Sequence, residues 1–184
     1  MTTTATPILT RKLQHMFNLL DVDQDGYLTM ADLPALADAL AVPFAAQPEK
    51  IQTLREALLR IWEAHLGQMD ENGDGRLDTA EYERGIRAAT AEDPKAFLRT
   101  MHAAVAAWFS LFDTNGDGHL DLDEYTQLGQ AIGGISPQDM AKAFQRLDRD
   151  GDGRLQPEEI RVAVIEFFTS EDPDADGNWL YGPL

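Results

Sequence analysis

The sequence predicts an all-α fold: four helix–loop–helix units, arranged in two pairs that pack into a compact globule. Three observations predict it. Four twelve-residue segments rich in Asp, Asn and Gly align with one another, at 21–32, 70–81, 113–124 and 148–159, with starts 49, 43 and 35 residues apart. Self-similarity of this kind is the mark of a repeat architecture. Each segment follows apolar residues eight, four and one positions upstream: Leu13, Phe17 and Leu20; Trp62, Leu66 and Met69; Val105, Phe109 and Phe112; Met140, Phe144 and Leu147. That spacing puts them on one buried helix face. An apolar residue then follows each segment at once (Leu33, Tyr82, Tyr125, Ile160) and begins a second stripe.

The connections carry matching punctuation. Pro43 and Pro48 mark a loop between the first and second units. Asp93-Pro94 reads as an N-cap followed by proline at the first helical position, dividing an N-terminal pair, 1–92, from a C-terminal pair, 93–169. Gly133-Gly134 ends a helix, and Ser136-Pro137-Gln138-Asp139 opens the next with a cap and an acid in its first turn. Residues 170–184 depart from the repeat and form a tail expected to pack on the body.

The segments have the donor pattern of a calcium-binding EF-hand loop. Ca²⁺ takes six to eight oxygens at about 2.3–2.6 Å, and such a loop supplies them from positions 1, 3, 5, 7, 9 and 12. The second segment places Asp70, Asn72, Asp74, Arg76, Asp78 and Glu81 there; the third, Asp113, Asn115, Asp117, His119, Asp121 and Glu124. The fourth places Asp148, Asp150, Asp152, Arg154, Gln156 and Glu159; the first, Asp21, Asp23, Asp25, Tyr27, Thr29 and Asp32. Position 7 ligates through its backbone carbonyl, so the side chains of Tyr27, Arg76, His119 and Arg154 are no obstacle. Position 6 is glycine throughout, as a sharp turn with positive φ requires. Position 8 is leucine in all four (Leu28, Leu77, Leu120, Leu155), where neighbouring loops can pair in a short two-stranded ladder. Asp/Asn/Gly clusters also make ordinary turns, but four copies with the same flanking stripes set that reading aside. A dockerin-like module would close its loops with Asp, which only the first loop does.

The loops are not equivalent. Three end in Glu, long enough to give both oxygens, whereas Asp32 is one methylene shorter. The first site is therefore expected to be weaker, or shared between Ca²⁺ and Mg²⁺, which demands a tighter six-coordinate shell. Three to four Ca²⁺ ions are expected in all. Nineteen of the 32 acidic residues lie in these loops. Four divalent ions would bring the formal charge from −17 to −9, so binding should stabilise the fold by linkage.

The same charge argues against nucleic acid, whose phosphates need Lys and Arg, and against anionic membrane surfaces. There is no run of roughly 20 apolar residues and no secretory leader within Met1 to Arg11. The absence of cysteine fits a reducing compartment. These features point to a cytoplasmic, monomeric protein, and the residues name no protein target.

Taken whole, the chain resembles the sarcoplasmic calcium-binding protein family, including its bacterial calerythrin-like members. The resemblance rests on the length, the long first and second spacings, Asp32 closing the first loop, and the ending Asp-Gly-Asn-Trp-Leu-Tyr-Gly-Pro from Asp176 to Pro183. It implies two EF-hand pairs packed face to face and calcium buffering or transport in the cytosol. In that family the second loop is often degenerate; here Asp70 to Glu81 is intact, which points towards four working sites.

Buffer and sensor differ in what they do with apolar surface. A sensor opens a Met-rich groove on binding. Here six methionines are spread along the chain, with Met69 and Met140 at core positions, which favours buffering. Trp179, Leu180 and Tyr181 are expected to fold back into the cleft that a sensor would offer a target helix, or else to cover one edge of the C-terminal pair. The tail segment from Asp172 to Gly177 imitates a fifth loop, but its position 12 would be Pro183 with no helix after it, so no site is assigned there. Calcium-triggered photoproteins share this size and an aromatic-rich interior that holds a luciferin. Trp62, Trp108, Trp179 and His15, His65, His102 and His119 allow that reading, which a large closed apolar cavity would favour. No nucleophile elbow, phosphate loop or zinc-protease motif is present, and no catalytic residue is assigned.

Overall fold

Two backbone bridges join the loops in pairs. Leu28 and Leu77 exchange N–H···O bonds of 2.9 and 2.8 Å, and Leu120 and Leu155 exchange two of 2.9 Å. All four leucine side chains are fully buried beneath the bridges. This is the position-8 ladder expected from the sequence. The computed structural model describes residues 6–44, 47–132 and 134–184.

Among the described residues eight α-helices flank the loops: α1 (Ile8–Leu20), α2 (Asp32–Ala41), α3 (Pro48–Ala64), α4 (Thr79–Glu92), α5 (Pro94–Phe112), α6 (Leu122–Ala131), α7 (Pro137–Leu147) and α8 (Pro157–Thr169). Short 3₁₀ turns lie at Val42–Phe44, Leu66–Gln68 and Asp176–Trp179. The capping signals act as read. The Asp93 carboxylate accepts from the amide of Ala96 at 2.9 Å, and the Ser136 hydroxyl from that of Asp139 at 3.1 Å. α6 ends at Ala131; Gly134 follows with φ +70°, while Gly133 lies outside the described residues.

One entering helix departs from the expectation. The stripe of Trp62, Leu66 and Met69 predicts a continuous helix into the second loop, but α3 stops at Ala64, and Leu66 sits in a 3₁₀ turn. Gly67 is the physical reason. Glycine disfavours a helix interior by about 1 kcal/mol, and here the chain passes so close to Trp62 that a Cβ on Gly67 would lie 3.0 Å from the indole nitrogen. Leu66 and Met69 are buried nonetheless.

The two pairs share one core. α3 lies against α2 and α5, and α1 against α4 and α8, so helices from opposite halves pack directly. Phe44 meets Phe112 edge-on at 4.8 Å, and Phe97 meets Phe168 at 5.3 Å.

The tail crosses the seam. Its 3₁₀ turn packs on α7 and α8. Gly177 sits so tightly against α8 that a Cβ would fall 2.5 Å from the carbonyl oxygen of Ala163. Leu180 is fully buried, and the Tyr125 hydroxyl of α6 donates to its carbonyl at 2.8 Å. Tyr181 packs edge-on against Phe167, and its carbonyl bonds His15 Nε2 of α1 at 3.0 Å. Trp179 lies at the C-terminal pair beneath the guanidinium of Arg146. The two expected placements of the tail therefore divide between its residues. Trp179 covers an edge of the C-terminal pair, Leu180 is held by Tyr125 of that same pair, and Tyr181 reaches the space between the halves.

A buried cation fastens the seam. Lys12 of α1 is wholly enclosed, and its ammonium donates to the carbonyls of Glu166 and Ser170 at 2.8 and 2.7 Å, capping the C-terminal end of α8. A cation suits the negative end of a helix dipole. Burial nevertheless pushes Lys12 down to about 8, against the opposing charges of Glu166 and Glu171. Between pH 8 and 10.5 the unfolded chain then holds a proton that the folded one releases, so stability rises with pH across that window. The buried hydroxyls of Tyr82, Tyr125 and Tyr181 are pushed up instead, so above about pH 10 their ionisation in the unfolded chain works the other way. Urea unfolding of wild type and Lys12→Met at pH 8 and 9.5 tests this. The wild type should gain stability relative to the variant as pH rises, and an unchanged difference would mean that Lys12 keeps its ordinary affinity for the proton.

Candidate metal centres

Each loop is organised by backbone amides that donate inward to its own carboxylates and amides. In the second loop the Asp70 carboxylate at position 1 accepts from Gly73, Asp74 and Gly75 at 2.7, 3.3 and 2.8 Å. Asp113 repeats this with Gly116, Asp117 and Gly118, and Asp148 with Gly151, Asp152 and Gly153. At position 3, Asn72, Asn115 and Asp150 accept from the amides of Asp74, Asp117 and Asp152. At position 5, Asp74, Asp117 and Asp152 accept from Arg76, His119 and Arg154. These bonds hold Asp70 below the usual carboxylate range, led by the amide of Gly75. Position-6 glycines, Gly26, Gly75, Gly118 and Gly153, all stand at φ +80° to +86°.

The carboxylate at position 12 does two jobs. Glu81 and Glu124 form capping boxes with Asp78 and Asp121 at position 9: each aspartate accepts from the glutamate's amide, and each glutamate accepts from the aspartate's amide. Glu159 accepts in the same way from the amide of Gln156 at 2.9 Å. The residues that start the exiting helix are thus the ones read as closing the metal site, and all three glutamates are buried.

The first loop departs in two places. Its position 4 is Gln24 at φ 58°, where the other loops have Gly73, Gly116 and Gly151. Among the described residues the Asp21 carboxylate accepts only from Asp25 and Gly26, at 3.2 and 3.0 Å. The exiting helix also begins at position 12, not at position 10 as in the other three. Asp32 Oδ2 accepts both donors of Thr29, the amide at 2.8 Å and the hydroxyl at 2.9 Å. The amide of Asp25 lowers the Asp23 carboxyl, but desolvation and the charges of Asp25, Asp32 and Asp21 outweigh it and raise it.

The donor set fits a hard divalent cation. Carboxylate oxygens of Asp21, Asp23 and Asp25 converge within 4.8 Å of one another, as do those of Asp148, Asp150 and Asp152. The second and third loops place the amides of Asn72 and Asn115 at the middle position instead. At position 7 the guanidinium of Arg76 stacks over the Tyr27 ring at 3.9 Å, linking neighbouring loops through their outward side chains. The tail's imitation loop is organised differently. The Gly177 amide donates to Glu166 Oε2 at 2.8 Å, and Asp176 pairs with Arg146 at 3.6 Å. Its carboxylates do not converge.

Between the halves lies an apolar cavity of about 80 Å³, with Met16, Tyr82, Trp108, Leu128, Phe168 and Tyr181 among its walls. His65 is packed against Phe97 and bonded to the Thr100 hydroxyl at 3.0 Å, and burial lowers its proton affinity. His102 is lowered too, by burial and then by the charge of Arg161. Neither lines that cavity.

Profiles of the EF-hand domain pair match residues 10–87 and 57–128, and a profile of the single EF hand matches 140–164. The chain belongs to the EF-hand family. Calerythrin of Saccharopolyspora erythraea is 28% identical over 165 residues, 88% of this chain and 93% of that protein. Clytin of Clytia gregaria is 28% identical over 174 residues, 91% of this chain and 84% of that protein. Among solved structures, a Streptomyces coelicolor calcium-binding protein superimposes with a TM-score of 0.75 at 25% identity, over 89% of this chain and 99% of that one. The coelenterazine-binding protein of Renilla muelleri shares the fold, with a TM-score of 0.70 at 22% identity over 96% of each chain. This EF-hand protein is therefore a calcium-binding protein, similar to calerythrin, with four helix–loop–helix units among the described residues.

Two residues that shape the loops escaped the sequence reading. Gln24 was visible as the odd residue among three glycines. Thr114, at position 2, carried no signal, because that position differs in every loop: Val22, Glu71, Thr114 and Arg149.

Gln24 gives a direct test. Its left-handed backbone costs roughly 1–2 kcal/mol, less the 0.5–1 kcal/mol of entropy that glycine adds to the unfolded chain. Gln24→Gly is expected to stabilise the calcium-loaded protein by roughly 0.5–1 kcal/mol and Gln24→Val to destabilise it, read by urea unfolding. A glycine variant no more stable than wild type would show Gln24 to be unstrained.

Proposed function

We propose that this protein buffers cytosolic calcium as a monomer, one ion to each loop. Asp21, Asp23, Asp25, Tyr27, Thr29 and Asp32 would hold the first ion, and Asp70, Asn72, Asp74, Arg76, Asp78 and Glu81 the second. Asp113, Asn115, Asp117, His119, Asp121 and Glu124 would hold the third, and Asp148, Asp150, Asp152, Arg154, Gln156 and Glu159 the fourth. Tyr27, Arg76, His119 and Arg154 would each contribute a carbonyl. The first site is the weakest and shares its ion with Mg²⁺, because Asp32 is one methylene shorter than the glutamate that closes each of the other loops. The working units are the pairs 1–92 and 93–169, with 170–184 sealing them.

One observation carries the choice of buffer over sensor. The chain's own tail reaches the apolar space between the pairs, where Tyr181 walls the central cavity. A target helix would need that space. No helix among the described residues is long and apolar enough to cross a membrane, and the lack of cysteine suits a reducing compartment.

The cavity and the likeness to clytin raise a second reading, a luciferin-type ligand held in the core. Ligand pockets run to roughly 300–1,000 Å³, and this cavity holds about 80 Å³, so buffering is preferred. Coelenterazine added to the protein should leave the fluorescence of Trp108 unquenched; saturable quenching followed by calcium-triggered light would establish the second reading.

Deleting residues 178–184 tests the first. The truncated, calcium-loaded protein should bind an apolar-surface dye and melt at a lower temperature, while calorimetry still counts its ions. If stability and dye binding match the full chain, the tail seals nothing and the case for a buffer falls.

A further inference from the structure

The third loop differs from the others in how its closing glutamate is held. Glu124 Oε2 accepts from the amide of Asp121 at 3.2 Å, as in the capping box of each exiting helix. Its other oxygen reaches across to the head of the loop. There Oε1 accepts from the Thr114 amide at 2.8 Å, from the Thr114 hydroxyl at 2.8 Å, and from the Asn115 amide at 3.3 Å. In the fourth loop Glu159 Oε1 receives one such bond, from the Arg149 amide at 2.8 Å. In the second loop Glu81 is held by the amide of Asp78 at 3.1 Å, and no donor among the described residues reaches it from the loop head. In the first loop both donors to Asp32 come from Thr29, on its own side.

The geometry points to Thr114 as a positioning residue that makes the third loop the tightest and most calcium-selective of the four. The inference rests on the reading of that loop as a calcium site. A position-12 glutamate serves Ca²⁺ by giving both oxygens at once, and it must otherwise be fixed across the loop when the ion arrives. Freezing a flexible side chain on binding costs conformational entropy, and Thr114 meets part of that cost in advance. Its side chain is suited to this, because a β-branched residue has few χ1 choices. A carboxylate oxygen has two lone-pair sites, so Oε1 can keep one of its three hydrogen bonds while it ligates and gives up the other two. Fixing both oxygens over the loop also enforces the larger coordination number that Ca²⁺ accepts and octahedral Mg²⁺ refuses. The expected order of affinity is third, fourth, second, first.

Thr114→Val keeps the shape and the backbone amide and removes one donor; Thr114→Ser restores the hydroxyl. The readout is a site-resolved titration of the full chain with Ca²⁺, followed by NMR at the amides of Gly26, Gly75, Gly118 and Gly153, and repeated in competition with Mg²⁺. Thr114→Val should weaken Ca²⁺ at the Gly118 site about two- to tenfold, the range of one net hydrogen bond. Its Mg²⁺ affinity should hardly change, the first and second sites, which are not bridged to the third loop, should keep their Ca²⁺ affinities, and Thr114→Ser should stay near wild type. A merely structural role would shift the melting temperature of the calcium-free protein without shifting the ratio of Ca²⁺ to Mg²⁺ affinity. Unchanged affinity and selectivity in Thr114→Val, or a serine variant as weak as valine, overturns the inference and leaves the third calcium site standing. A wild-type Gly118 amide that ignores Ca²⁺ overturns both.

Discussion

The repulsion among carboxylates crowded into four short loops is the constraint around which this molecule is organised. Nineteen acidic residues fall inside those loops, and each must be held close to others of its own sign. The protein meets the problem with backbone amides. Positions 1, 3 and 5 each accept from amides two to five residues ahead, so the loop curls around its own anions. What remains is a concave set of oxygen lone pairs, which a hard divalent cation completes. The helices depend on the same residues. Asp78 with Glu81, and Asp121 with Glu124, are at once helix caps and loop closures, so secondary structure and metal affinity cannot be tuned apart.

The two halves are joined by a different kind of contact. Lys12 caps α8 from the opposite pair, Arg11 donates to the carbonyl of Leu184 at 2.9 Å, and His15 bonds the carbonyl of Tyr181. One face of α1 therefore grips the end of α8 and the end of the chain. These are hydrogen bonds from side chains to backbone, so they fix where the tail runs without requiring particular tail side chains. Gly177 is the exception, since its lack of a side chain is what lets the tail lie flat on α8.

How much of this could be read beforehand follows the range of each interaction. The loops and the caps at Asp93 and Ser136 are local features, set by residues within a few positions of one another; the leucine bridges span far longer separations and were legible only because the repeat puts a leucine at position 8 of every loop. The end of α3 at Ala64 was less legible, because an apolar stripe continues past it and hides Gly67, the weak helix former in the turn that follows. Lys12 was invisible: a lysine in an amphipathic helix ordinarily faces water, and only the approach of α8 and the tail encloses it. The grip of Thr114 on Glu124 spans ten residues at a position with no consensus among the four loops, so no repeat pattern announces it.

The bridges between Leu28 and Leu77, and between Leu120 and Leu155, have a consequence for how the protein responds to its ion. Two loops tied by a pair of backbone hydrogen bonds cannot order themselves separately. When one loop stiffens, its neighbour loses part of the freedom it would otherwise surrender on binding. Occupancy should then climb in two steps, not four, each steeper than a single site would give. Loops coupled in this way would fill over a narrow span of cation concentrations and empty over the same span, like a pair of linked valves.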